Sequence, residues 1–299
     1  MKPAPFEYHA PTSAKEAVGL LAELGDRAKV IAGGQSLVPM LALRLTAFEH
    51  LIDIRRIEGL RGIEERGDRV WIGAGTTQSS IGRSPLVAAA VPLLARATPL
   101  IGHFQIRNRG TIGGSLAHAD AAAEYPAVAL ALDAEIEALS PRGQRTIPAA
   151  EFFTGIWSTA LEPDELLTGV TFTPWGPRSG FAIEEFARRP GDFAVAGAAV
   201  AVQLGPDKAV TRCAISLFGL GPTPLSVWAV NVSGGSTGGS PPRGSRAAET
   251  PAAEIGQAAV ADLAEVPSDL HGPAAYRKRV GAAMVARAWT RATQEALSA

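Results

Sequence analysis

Two short turns carry the residues best suited to chemistry. Ala32-Gly33-Gly34-Gln35-Ser36 and Thr111-Ile112-Gly113-Gly114-Ser115 each place paired glycines after a short apolar stretch, with a hydroxyl behind them. Glycine lets a backbone come close to a ligand with its N–H groups exposed, and successive N–H groups with a serine hydroxyl form a concave site for phosphate oxygens. Neither turn fits G-x-G-x-x-G or G-x-x-x-x-G-K-[ST], so a Rossmann site and a P-loop are both disfavoured. What is left is a pair of phosphate-cradling turns, and a pyrophosphate lying between them needs neither lysine nor magnesium. A dinucleotide such as FAD suits that arrangement. On this reading a side chain added at Gly113 collides with the diphosphate.

Other reactive types are sparse. His118 and Asp120, in His-Ala-Asp, have no second His or Cys cluster near them in sequence, so no metal site is read and hydrogen bonding with helix capping suffices. Arg107 and Arg109 flank the second turn and either complement phosphate or pair with neighbouring carboxylates. Ser13, Ser36 and Ser115 sit in no G-x-S-x-G elbow and no histidine stands out as their base, so nucleophilic catalysis is not expected and no catalytic residue is assigned. The single cysteine, Cys213, excludes an intramolecular disulfide and equally excludes a [2Fe–2S] cluster held by this chain, which needs about four thiolates. Redox chemistry here requires an organic cofactor or a partner's metal centre.

The elements that must hold these residues follow from pattern. With 299 residues, 46% of them hydrophobic, the chain can build more than one core. A formal net charge of −1 gives no reason to invoke nucleic acid or anionic lipid. No secretory leader or membrane span of roughly 18 apolar residues is read, and a cytoplasmic location is expected. Ser13 and Glu16 make a capping box for a helix with Ala17, Leu20, Leu21 and Leu24 on one face, stopped at Gly25. Strands are expected at Lys29–Ala32 and His50–Ile54, giving a first unit over residues 1–55. A second, over 56–176, alternates Val70, Ile72, Ala74 and then Ala134, Ile136, Ala138 in strands of a largely antiparallel sheet. It is interrupted by helices at about Ser84–Thr98 and Asp120–Leu132, the latter with Asp120 as N-cap and Tyr125, Val128, Ala129 and Leu132 on one face. A third, over 177–299, opens with three strands, passes through a low-complexity, mobile stretch at Ser233–Arg246, and closes with helices at Ala252–Ala264 and Pro273–Leu297.

Against this reading, AGGQSLVPMLALRL, HLIDI, IGHFQIRNRGTIGGSLAHADAAAEYPAVALALDA, EFFTGI, LEPDELLTGVTF and EFARRPGDFAVAGAAV occur in order, with SDLHGPAAYRKRV near the end. In these segments the chain resembles the FAD-binding medium subunits of bacterial molybdenum hydroxylases. The resemblance implies an α+β fold: a two-subdomain FAD-binding region of the vanillyl-alcohol-oxidase-like (PCMH) type, then a C-terminal domain of sheet and helices. It implies non-covalent FAD, with Ala32, Gly33, Gly34, Gln35, Ser36, Leu37, Thr111, Ile112, Gly113, Gly114 and Ser115 around the diphosphate. Glu124 stands where the family usually has Asp and is implied to hydrogen-bond FAD hydroxyls. Leu167 is implied as an apolar contact, Glu184 occupies a cofactor-contacting position held by Lys in distant relatives, and Phe193 replaces a Tyr near the flavin ring. His103 is then no covalent anchor. Implied partners are a large molybdopterin-bearing subunit and a small [2Fe–2S] subunit, assembled as a dimer of three-subunit units. The alternative is a self-sufficient flavin oxidase or reductase on the same fold, such as the NADPH-dependent reductase of cell-wall precursor synthesis.

Overall fold

The computed structural model describes residues 2–230 and 251–299; the stretch Ser233–Arg246 read above as low-complexity lies outside the described residues. Chain order opens with β1 (Glu7–His9), α1 (Ala14–Leu24), β2 (Ala28–Ile31), α2 (Leu37–Ala42) and β3 (His50–Asp53). The three strands form a small sheet ordered β1-β3-β2, with both pairings parallel. Ser13 caps α1, its hydroxyl accepting the Glu16 N–H at 3.1 Å. The Glu16 carboxylate reaches back to the Thr12 N–H at 2.9 Å, one residue earlier than the usual reciprocal bond of a capping box. Ala17, Val18 and Leu21 are buried against Ile52 and Ile54. Leu20 and Leu24 lie at the margin of that cluster.

Next come β4 (Ile63–Arg66), β5 (Arg69–Gly73), α3 (Gln78–Gly82), α4 (Pro85–Ala90), α5 (Pro92–Ala97), α6 (Phe104–Arg107), α7 (Ile112–His118), α8 (Glu124–Ala131), β6 (Glu135–Ser140), β7 (Gly143–Pro148), α9 (Ala149–Phe152), β8 (Phe153–Gly155), β9 (Ser158–Thr159) and β10 (Leu166–Phe172). Five of the strands make an antiparallel sheet ordered β4-β5-β10-β6-β7. The alternation read at 134–138 is seen in β6, whose Ile136 and Ala138 are buried and whose Glu135 and Glu137 are half-buried. Two helices depart from expectation. The stretch 84–98 is divided into α4 and α5, because Pro92 has no N–H to continue the first helix and is well placed to start the second. The stretch 120–132 becomes helical only at Glu124: Asp120 is not its N-cap, its carboxylate instead accepting the Ala122 N–H at 2.8 Å in the preceding turn. Every residue of α8 is buried, so the single apolar face read for it understates its burial.

The chain then runs through β11 (Ser179–Phe186), β12 (Ala196–Leu204), β13 (Val210–Phe218) and β14 (Leu225–Val230), an antiparallel sheet in sequential order, to α10 (Ala252–Ala261) and α11 (Ala274–Ser298). β12 is buried on both faces. Ala199 and Ala201 join the core that includes α8, while Ala198, Val200 and Val202 face a second core built with Val285, Ala288 and Trp289 of α11. A sheet covered on both faces reads as a continuous apolar run, as AGAAVAVQL does. Gly180 is forced by the approach of α11: a Cβ there would lie 1.9 Å from the Ala292 carbonyl. Arg96 of α5 reaches Glu295 of α11 with two bonds of 2.6 Å, fastening the helices on either side of the sheet.

Candidate functional site

A cleft of about 710 Å³ runs between the β1-β3-β2 unit and the five-stranded sheet. Residues 32–37 form one wall, Thr111, Gly113, Gly114 and Ser115 face them, and Glu124, Leu167 and Phe193 continue the lining. The volume falls within the range of small-molecule and cofactor sites. Of the fifteen residues assigned above, thirteen therefore converge on one cavity.

Two do not. Ile112 is 1% exposed and its side chain belongs to the central core, because it occupies the inward side of the first turn of α7. Glu184 points from β11 towards α11, where its carboxylate is paired with Arg291, and it does not line the cleft. Successive side chains of a strand face opposite ways, and its neighbour Glu185 faces the small pocket beside the cleft that His103, Arg107 and Gly191 also line. One Glu185 carboxylate oxygen is buried there without a hydrogen-bond partner.

The two glycine turns do different work. In the second, the donors are already used. Thr111 is the N-cap of α7, and its hydroxyl accepts the Gly114 N–H at 3.0 Å. The Ile112 N–H goes to the Thr76 carbonyl and the Gly113 N–H to Ala74, at 3.1 and 2.9 Å. In the first turn, no partner among the described residues takes the N–H groups of Gly33, Gly34, Gln35 or Ser36. Gly34 has φ +72°, and the Gln35 amide donates to the Gly33 carbonyl at 2.8 Å, bracing the turn so that these N–H groups stay open. Four adjacent unpaired donors at a cavity wall match what a diphosphate requires.

The glycines of the second turn are packing requirements. A Cβ at Gly113 would lie 2.5 Å from the Ala74 Cβ and 2.8 Å from its carbonyl oxygen, so the missing side chain lets α7 sit against the end of β5. The expected collision of a residue-113 side chain with the diphosphate is thus replaced by a collision inside the protein. Gly33 likewise has no room: a Cβ there would be 2.2 Å from the Arg109 carbonyl oxygen and 2.7 Å from the Gly110 Cα. The two turns are in backbone contact at this point. Arg109 acts through its carbonyl, while Arg107 donates to the Ile101 and Gly102 carbonyls at 2.8 Å each and braces their loop.

Gln78 carries no signal of its own in sequence, and the fold alone sets the surroundings of His118 and Phe193. Gln78 is 5% exposed, lines the cleft, and leaves its Oε1 buried and unpaired, an acceptor waiting for a ligand donor. His118 stacks on Trp157 with ring centroids 6.3 Å apart and planes 9° from parallel, and burial keeps it below its ordinary pKa and hence neutral at pH 7. Phe193 projects from the β11–β12 connection and is 63% exposed at the cleft edge. An open aromatic face at the mouth of a cofactor cleft is available for stacking on a planar ring.

Glu124, at the start of α8, is 8% exposed, and its carboxyl is pushed up to about 8 by burial, with Glu185 and Asp120 adding repulsion. Burial alone raises Glu185 to about 7. The unfolded chain releases these protons near the ordinary 4.5. Between that value and about 8 it therefore binds fewer protons than the folded chain, and stability falls as pH rises through this window. Glu124→Gln, which cannot ionise, will accordingly raise the melting temperature of the ligand-free chain at pH 8 by ~5 °C and leave it nearly unchanged at pH 5. Parallel melting curves at the two pH values check this, and equal shifts at both would show that Glu124 does not titrate in the window.

Comparison with known proteins places this geometry. Residues 4–175 match the family model of the FAD binding domain in molybdopterin dehydrogenase, and residues 181–292 match that of the CO dehydrogenase flavoprotein C-terminal domain. The fold and cleft thus define an FAD-binding flavoprotein with a two-subdomain cofactor region and a C-terminal sheet-and-helix domain. The carbon monoxide dehydrogenase medium chain of Hydrogenophaga pseudoflava is 41% identical over 288 residues, covering 96% of this chain and 97% of that one. The nicotine 6-hydroxylase medium subunit of Paenarthrobacter nicotinovorans is also 41% identical, over 93% of each chain. Among solved structures, quinoline 2-oxidoreductase from Pseudomonas putida 86 superposes with a TM-score of 0.87 at 32% identity, over 99% of this chain and 100% of that one. The chain belongs to the family of FAD-binding medium subunits of molybdenum hydroxylases, and it is an oxidoreductase subunit.

The cleft suits the cofactor of that family. Four unpaired N–H groups at 33–36 fit a diphosphate, the Glu124 carboxyl lines the same cavity, and the orphaned Gln78 Oε1 can accept from a ligand N–H or O–H.

Proposed function

We propose that this chain is the electron-transfer subunit of a three-subunit molybdenum hydroxylase. Substrate is hydroxylated at a molybdopterin centre in a large partner, electrons cross [2Fe–2S] clusters in a small partner, and this chain receives them and passes them to an external acceptor. FAD, when bound, supplies the step from one-electron to two-electron chemistry. The chain's own residues bind and orient: Gly33 to Ser36, flanked by Ala32 and Leu37, present the diphosphate donors, Thr111, Gly113, Gly114 and Ser115 close the opposite side, Glu124 takes sugar-alcohol hydroxyls, and Leu167 and Phe193 contact the flavin end. Ile112 and Glu184 are left out of this set.

The observation that carries the reading is the separation of cofactor cleft from cluster ligands. A cleft built for a diphosphate sits in a chain whose one cysteine, Cys213, is 1% exposed within β13, so cluster thiolates have to come from a neighbour. The assembly is read as a cytoplasmic dimer of heterotrimers, and among the described residues no helix is long and apolar enough to cross a membrane.

A self-sufficient flavin oxidase has one observation in its favour. Glu124 in the cleft and Glu185 beside it hold protons near neutral pH, as a general acid or base would. Purification of the tagged chain at native abundance separates the readings. Molybdenum and iron co-eluting in fixed ratio with flavin support the subunit; a chain that elutes alone with FAD and turns over substrate is the oxidase.

A further inference from the structure

On the outer edge of the small N-terminal sheet, three metal-ligating side chains meet. β1 and β3 are parallel with Glu7 opposite His50 and His9 opposite Ile52. Glu7 and His9, two apart on one strand, share a face with His50. The His9 Nε2 lies 3.1 Å from the His50 Nδ1, which lies 3.4 Å from a Glu7 carboxylate oxygen. One ligand atom from each residue falls within 4.8 Å of the other two. The two histidines are 41 residues apart in sequence, so no local pattern marks the group.

We infer that Glu7, His9 and His50 form a binding site for a divalent transition-metal ion, with Zn²⁺ the best match. Tetrahedral coordination at about 2.0–2.1 Å places neighbouring ligand atoms about 3.3 Å apart, close to the two separations observed. Two imidazoles and one carboxylate are the borderline donors that zinc accepts. Without an ion, two imidazole nitrogens 3.1 Å apart must share one proton; a divalent cation replaces that proton and takes the Glu7 charge as well. His50 is held in place, its side chain 11% exposed, whereas Glu7 is 74% exposed, so the fourth coordination position opens to solvent.

Placement gives the site a structural consequence. β1 is an edge strand of three residues, and on its other face Tyr8 donates to Asp53 of β3. An ion on the Glu7 face would staple the strand on its second side. β3 also pairs with β2, which leads directly into the open donors of residues 33–36.

Full-length chain stripped with EDTA and titrated with Zn²⁺ alone in a calorimeter tests this. One ion per chain is expected at micromolar affinity, with Co²⁺ in its place giving the intense visible absorption of tetrahedral or five-coordinate cobalt. His9→Gln and His50→Gln should each weaken binding ~100-fold and Glu7→Gln ~10-fold, with flavin content unchanged. Should His50→Gln fail to fold, the edge variants His9→Gln and Glu7→Gln decide. No Zn²⁺ uptake by the unmutated chain, or uptake undiminished in His9→Gln, overturns the inference.

Discussion

Replacement of Gly33 by valine will yield a chain that folds but no longer retains FAD, with affinity reduced ~100-fold or more, about 3 kcal/mol at 1.4 kcal/mol per tenfold. The cause lies between the turns. The Cβ at 33 would meet the Arg109 carbonyl oxygen at 2.2 Å, the Arg109 carbonyl carbon at 2.7 Å and the Gly110 Cα at 2.7 Å. These are backbone atoms that no rotamer change can move aside, so the turns must separate. The N–H groups of Gly33 to Ser36 then lose their common aim, and preorganised donors lose most of their value when they have to be reassembled by the ligand. The remote C-terminal core, built on β12, β13 and α11, makes no use of Gly33 and will keep its far-ultraviolet signature. Flavin content per chain after gel filtration checks the result; a full complement of FAD in the variant would show that the turn contact does not govern binding.

The second large effect is expected at Arg277, 4% exposed in the first turns of α11. It donates twice to Asp269 at 2.7 Å and also to the Val195 and Gly219 carbonyls at 2.8 and 3.0 Å. The Gly219 N–H in turn holds the Ala121 carbonyl at 2.7 Å, just ahead of Glu124, and Val195 follows closely on Phe193. One guanidinium thus pins both segments that bring Glu124 and Phe193 to the cleft. Arg277→Met keeps most of the volume but leaves two carbonyls and a carboxylate without their donor, at a cost of about 3–5 kcal/mol. The melting temperature should fall by ~10 °C and FAD should dissociate faster. A melting temperature within ~2 °C of the unmutated chain would assign Arg277 no such role.

How far the sequence disclosed these features depends on whether the cause is local. The AGGQS turn is legible because a strand, two small residues and a helix start lie within ten positions. The inward-paired donors of TIGGS are not, since their acceptors are Ala74 and Thr76, a third of a domain away in sequence. Glu184 and Glu185 illustrate a second limit. Strand alternation guarantees that one faces α11 and the other the cleft side, but only the register with β12 says which, and a one-residue slip exchanges them. β1 leaves no mark in the sequence because three residues, Glu-Tyr-His, show no period, and their pairing with β3 is long-range. The break at Pro92 has a local cause, its missing N–H, but the apolar run on both sides reads as one continuous helix. Leu167 and Phe193 line the cleft for reasons a local pattern does not contain, and their assignment came from resemblance.

In the proposed function, electrons reach this chain from a partner's cluster. The most direct test is anaerobic rapid mixing of the FAD-reconstituted chain with reduced small subunit, followed at the oxidised-flavin absorption band. The band is expected to bleach on mixing, whereas the hydroxylase's substrate added without partners leaves it unchanged. Bleaching by substrate alone, with none from the reduced clusters, would contradict it.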